Sequence, residues 1–334
     1  MKKIRKLLCV LLTLLTLCSC TNAKHYTAYT IYPIGYLLNR IGGNAISYES
    51  IQNTSIVQTA QIKEDYQDII NDSYVLFHIG DLEPYMDLYE NEIKDSGVQI
   101  QDLSVLNALY KYKRYKPVVV DGSVTYLESE YYDGEMFDQI DRYDLDPFIW
   151  LSPIGMLSMA KDIANYLSNN YVEQSAYFME NYSKLEDELI ALDASYNALS
   201  RQMIKTNATI KFVSMTGSFG CWQKDFCFQV YPVCLSKFGA LPTDAQLEKI
   251  KQKIKDDNVR YIAYEPNMPE EMQVLFGQLE EELGLKRVTL YNISSLTSSQ
   301  IESGKDYMSL MYENLNILQN MLTIETQNIE SVEE

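Results

Sequence analysis

Residues 172–205 read VEQSAYFMENYSKLEDELIALDASYNALSRQMIK. The stretch holds neither Gly nor Pro, and apolar side chains recur at Phe178, Tyr182, Leu185, Leu189, Leu192, Tyr196, Leu199 and Met203. Steps that alternate between four and three residues place them on one face of an α-helix. At 1.5 Å per residue such a helix is roughly 50 Å long, more than one small domain needs. Strand and helix patterns alternate before it and again after it. The stretch therefore reads as a rigid beam joining two α/β lobes. A coiled-coil arm is the other reading of this near-3.5 spacing, but sustained e/g charge pairing is poor.

N-terminal to the beam, residues 25–32 alternate like a strand, and Pro33 opens a short helix over 34–41 that Gly42-Gly43 ends. Strands are expected at 45–51, 74–79, 98–103 and 117–120, and helices at 62–71 and from the Gly80-Asp81-Leu82-Glu83-Pro84 turn to about Lys94. Residues 121–146 read as a loop, with eight acidic residues from Glu128 to Asp146. A solvated acidic loop and a weak cation binder both fit that composition. Asp146-Pro147-Phe148-Ile149-Trp150-Leu151-Ser152-Pro153 follows, and Pro153 stands where a helix over 154–167 can begin.

C-terminal to the beam, strands are expected at 209–215, 226–233, 259–264 and 286–291. A turn and short helix are expected at 217–224, and helices from the N-cap Thr243 to Asp257, at 270–283 and at 305–322. The acidic end after Thr323 is expected to fray.

Lys2, Lys3, Arg5 and Lys6 precede an apolar run over 7–17, too short to span a bilayer. Leu17-Cys18-Ser19-Cys20 resembles the lipobox of bacterial lipoproteins, which implies lipidation of Cys20 after loss of residues 1–19; a plain signal peptide is the simpler alternative. The mature chain then keeps 24 basic and 46 acidic residues, a net charge of −22. Nucleic acid is an unsuitable partner for such a surface. In an exported protein Cys221, Cys227 and Cys234 allow one disulfide and one free thiol.

Catalytic equipment is sparse. His25 and His78 are the chain's two histidines. His25 is next to the expected anchor, and His78 lies in an apolar strand run as a hydrogen-bonded structural histidine. No phosphate-binding Gly-rich loop or dinucleotide fingerprint is present, and no carboxylate spacing marks an acid/base pair. An enzyme is not expected; a carboxylate-only glycosidase stays open on these residues alone.

The order of parts resembles the zinc- and manganese-type solute-binding lipoproteins of metal ABC importers. Tyr32-Pro33-Ile34 through Gly42-Gly43-Asn44 is similar to that family's first strand-helix and its IGGD turn. Gly80-Asp81-Leu82-Glu83-Pro84-Tyr85 is similar to GLGLEPW, residues 146–153 to DPHVWLDP, and residues 213–220 to VSHAAFGYF. Residues 261–266 are similar to YIFFEP and residues 306–315 to DYLSLMRQNL. The resemblance runs in order from Tyr32 to Leu322. It implies an α/β fold of the metal-type periplasmic-binding class, two β/α lobes joined by one long rigid helix. The divisions are a signal peptide at 1–19, an N-terminal lobe at 20–170, the linking helix at 171–205, a C-terminal lobe at 206–322 and the acidic tail at 323–334.

The resemblance also implies where a ligand sits. The family's metal-binding positions fall at Gln58, which no local motif secures, and at Phe148, Met215 and, near the last strand, Asn292. None of these is an imidazole or a carboxylate, so the expectation is a degenerate site with its zinc or manganese lost. Phe148, Trp150, Met215 and Trp222 suit an apolar ligand, or a metal inside an organic chelate, or simply fill a closed cleft. The function implied is an extracytoplasmic, lipid-anchored solute-binding protein, monomeric, that serves an ABC permease. The alternative is a surface-anchored interaction protein on the same scaffold.

Overall fold

The computed structural model describes residues 26–53 and 56–333. The lipobox, Cys20 and His25 lie outside the described residues.

The first lobe is a four-stranded parallel sheet of order β2-β1-β3-β4, built from β1 (Tyr26–Tyr29), β2 (Ser47–Ser50), β3 (Ser73–His78) and β4 (Gln99–Asp102). Helices α1 (Tyr32–Gly42), α2 (Tyr66–Asn71) and α3 (Met86–Asp95) make its crossovers. The chain steps from β1 to β2 on one side and returns to β3 on the other, so the switch point lies between the ends of β1 and β3. Pro33 falls in the first turn of α1, and Gly43, at φ 51, ends it.

From β4 the chain leaves the first lobe. Residues 110–112 and 144–146 run antiparallel, with Tyr112 N donating to Asp144 O over 3.0 Å and Asp146 N to Tyr110 O over 2.7 Å. Between them stands a hairpin, β5 (Arg114–Val120) and β6 (Ser123–Ser129). This corrects the expected loop. Asp121 and Gly122 turn the hairpin with φ of 50° and 78°, both left-handed, as a two-residue I′ turn requires. The acidic residues beyond are not uniformly solvated either. Glu130 pairs with Lys113 at 3.1 Å and Arg142 at 2.9 Å, and Asp146 is buried.

The hairpin and the segment after it rest on the second lobe. Arg114 Nη2 donates to Tyr231 Oη at 2.8 Å and Asp257 Oδ2 at 3.0 Å. Tyr132 Oη donates to Pro232 O and Lys237 N to Asp141 O. Lys224 Nζ stands 4.7–5.1 Å from the ring centres of Tyr110, Tyr115 and Tyr126, a cation–π cage.

Helix α4 (Pro153–Asn170) is capped by Ser152, whose Oγ accepts from Gly155 N, and leads to α5 (Ser175–Lys205), the beam. All eight apolar residues of its expected stripe are buried. The stripe packs against α1, α4, a short helix α6 (Cys221–Phe226) and the last helix, so the arm reading falls.

The second lobe repeats the plan. Its parallel sheet has the order β10-β9-β7-β8, from β7 (Lys211–Ser214), β8 (Gln229–Pro232), β9 (Tyr261–Tyr264) and β10 (Lys286–Thr289). By the same reasoning its switch point lies between the ends of β7 and β9. Helix α7 (Asp244–Asp256) begins in a capping box of Thr243 and Gln246. Helices α8 (Glu270–Leu283), α9 (Ser298–Glu302) and α10 (Tyr307–Glu333) complete it. The expected frayed end is instead a continuation of α10 to Glu333.

Nor does a disulfide form. Cys221, Cys227 and Cys234 are buried free thiols. Each faces its own surroundings; the Cys227 sulfur, for one, lies 3.5 Å from the Tyr126 hydroxyl. One apolar core runs through both lobes and under the beam, and a smaller one around Ala28, Ile69, Leu76 and Ile93 backs the first sheet. Among the described residues no helix is long and apolar enough to cross a membrane.

Candidate metal-cargo cleft

The carboxyl ends of both sheets open toward one region between the lobes, where ligands of parallel sheets bind. In the second lobe Glu265 follows β9 immediately and is fully buried. Its Oε1 accepts from the backbone N–H groups of Met215 and Thr216, each at 3.0 Å. Its Oε2 accepts from Thr216 Oγ1 at 2.8 Å and Asn292 Nδ2 at 2.7 Å. Burial raises the acid's pKa, and these four donors pull the other way. Asn292 is itself held, its Oδ1 accepting from Asn267 Nδ2 and from the backbone and hydroxyl of Ser294.

Met215 and Asn292, read as separate cleft positions, are thus joined through Glu265. Phe148 is reached from the other side. It is fully buried, with ring centres 5.7 Å from Tyr143 and 5.5 Å from Trp150. Trp150 Nε1 donates to Asn292 O at 2.8 Å, and Trp222 Nε1 to Leu151 O at 2.9 Å, so residues 146–153 are pinned to the second lobe. Gln58 stands apart. A Cβ on Gly239 would lie 3.2 Å from its own Cβ, and its buried Oε1 has no hydrogen-bond partner.

The first lobe matches Glu265 with Glu83, in the turn after β3. Tyr143 Oη donates to the neighbouring Leu82 O at 2.8 Å. His78 is the structural histidine expected, its Nδ1 3.2 Å from Gly80 O. A cavity of about 280 Å³ adjoins the cleft, lined by Tyr110, Asp146, Asp193, Cys221 and Asp225 among others. Burial lifts Asp146 to about 7 and Asp225 to about 6.

Neither glutamate was a site residue on sequence grounds. The available signal was a carboxylate directly after an apolar parallel strand in residues 261–266, and another in the turn after residues 74–79. Among the described residues no three His, Cys, Asp or Glu side chains gather to hold a metal ion.

The chain matches the family model described as zinc-uptake complex component A, periplasmic, over residues 28–321. It is 28% identical over 247 residues to the zinc-binding lipoprotein AdcA of Streptococcus pneumoniae, covering 73% of this chain and 47% of that one. The chain thus spans about half the length of that curated relative. Among solved structures, it is similar to the Zn(II)-bound ZnuA-like domain of Streptococcus pneumoniae AdcA, with a TM-score of 0.64 at 20% identity, covering 90% of this chain and 99% of that one. It is similar also to a mutant of the laminin-binding adhesin of Streptococcus agalactiae, with a TM-score of 0.69 at 18% identity, over 89% of this chain and 98% of that one.

These findings overturn the expectation that zinc or manganese has been lost. The relatives are zinc-binding proteins, and one matched structure holds Zn(II). The donor count behind that expectation stopped at four carried-over positions and left out Glu265, the buried carboxylate on which two of them converge. Family model and fold agree: the chain belongs to the periplasmic component A family of zinc-uptake complexes, whose members are solute-binding parts of transporters and not enzymes.

Proposed function

We propose that this protein captures a divalent metal cargo of the zinc class outside the cytoplasmic membrane and presents it to an ABC permease, anchored there by a lipid on Cys20 and acting as a monomer. The observation that carries the reading is Glu265, a buried carboxylate at the switch point of the second sheet with Met215 and Asn292 bonded to it. Its four acceptor positions are filled, so a cation must displace one donor. Asn292 is the one able to leave: Met215 and Thr216 bind through backbone at the strand end, whereas an amide side chain can swing and offer its oxygen. Oxygen donors and one thioether bind zinc less firmly than imidazoles do. Small ligands arriving with the ion complete its coordination.

The test is native mass spectrometry and calorimetry on metal-free protein, with zinc or manganese supplied alone and with citrate. One metal per chain, lost in Glu265→Gln, is expected. No uptake under any of these conditions overturns the reading. A second reading, a surface-held interaction protein, has the packed cleft in its favour, since Phe148 and Met215 are wholly buried. It expects no metal dependence and a cleft that stays shut.

A further inference from the structure

Glu83 and Glu265 occupy corresponding places, each just past a strand that borders its sheet's switch point. Their surroundings are opposite. Glu265 is bound by four donors, whereas no well-aligned donor reaches either oxygen of Glu83, a residue 2% exposed. The buried Thr30 hydroxyl, at the end of β1, lies beside it and favours the charged form. An ionised carboxylate so enclosed is very costly, and the least costly remedy is a proton.

The groups that face it offer no positive charge in compensation. Asp102 of β4 is near and repels it. Asp102 is committed elsewhere, its Oδ1 accepting from Gly80 N and Ser104 N at 2.8 Å each. Tyr85, after the turn, and Tyr143, on the returning segment, both sense the charge of Glu83, and Asp146 and Asp81 act on Tyr143 as well. Burial pushes Glu83 up to about 8, against the pull of the Thr30 hydroxyl and the backbone N–H groups of Glu83 and Ile79, with Asp102 adding to the rise.

Tyr143 makes this a matter between the lobes. It belongs to the segment that rests on the second lobe, packs edge-on against Tyr112 and Phe148, and reaches back to Leu82 O, next to Glu83. We propose that Glu83 is a proton-operated latch: carrying a proton it allows Tyr143 to close over the turn, and on losing the proton it favours separated lobes.

Spin labels at Leu88→Cys on α3 and Val274→Cys on α8, both exposed positions, report the separation by pulsed dipolar spectroscopy. Among the described residues the native thiols are Cys221, Cys227 and Cys234, all buried and so little labelled. The closed fraction should fall as pH rises from 6 to 8.5, by up to about tenfold per pH unit in the closed-to-open ratio below pH 8. Glu83→Gln, neutral at every pH, should stay closed throughout. Tyr143→Phe keeps the carboxyl but loses the bond to Leu82, so its opening should move to lower pH. Identical distances at both pH values in the parent overturn the proposal. So does an unchanged pH response in Glu83→Gln, and so does a Tyr143→Phe profile that coincides with the parent's.

Discussion

The hydroxyl of Tyr112 occupies the place a Cβ would take on Gly217. A residue of the segment leaving the first lobe thus seats against a glycine of the second, and the absence of a side chain at 217 lets the two surfaces meet. Gly217→Ala should cost about 1–3 kcal/mol, as overpacking does. Gly277, within α8, has open space around its Cβ position. Gly277→Ala should stabilise by about 0.5–1 kcal/mol. Urea midpoints that move the same way for both substitutions contradict this account.

Leu189 lies at the middle of the beam with its side chain fully buried. Leu189→Pro removes a helical hydrogen bond and clashes with the preceding turn, at a cost of about 3 kcal/mol or more. A melting temperature equal to the parent's would mean that the beam is not a continuous helix.

Asp146 is buried and raised to about 7 by that burial. A carboxyl whose folded value lies above its unfolded one stabilises fully below the unfolded value, and that contribution is lost as pH rises through the folded value. Unfolding free energy should therefore fall between about pH 4 and pH 7, with a slope of up to about 1.4 kcal/mol per pH unit from this group. Asp146→Asn should flatten that slope, and so be better tolerated at pH 8 than at pH 5. Parallel pH profiles for the two proteins would remove Asp146 from the account.

Phe148 and Met215 stand where the family resemblance implies metal ligands. Phe148→His combined with Met215→His supplies two imidazoles at the family's ligand positions, and zinc affinity should rise by about tenfold or more in calorimetry. A thermal melt of the double variant checks the packing given up at two fully buried positions. A folded double variant with unaltered affinity would show that these positions do not face the cargo.

Cys20→Ala tests the anchor. The variant should leave the membrane fraction and take up no labelled fatty acid; undiminished labelling rules out Cys20 as the lipidated residue.

Much of this architecture was legible because it repeats. The beam shows an unbroken helical period from Phe178 to Met203, and the strands are short apolar runs between turn residues. Thr243 and Gln246 mark the start of α7 at the spacing of a capping box. The hairpin was equally marked, by Asp121-Gly122 between Val118-Val119-Val120 and Val124, but the eight acidic residues nearby drew the reading toward a loop. The site was less legible for a different reason. Glu265 owes its role to Thr216 and Asn292, 49 and 27 residues away, and no local pattern records partners at that distance. Gln58 had no motif to secure it, and among the described hydrogen bonds none ties it to the other cleft positions.

The hairpin has a bearing on how such a protein can be inherited. Arg114, Tyr115 and Tyr126 precede the beam in the chain yet cover Tyr231, Gln229 and Lys224, which follow it. A gene broken at the beam leaves one fragment with an uncovered sheet edge and the other with a hairpin that has nothing to rest on. Neither half of the coding sequence therefore encodes a finished fold, and the two lobes are one unit of inheritance in the physical sense that each needs the other's surface.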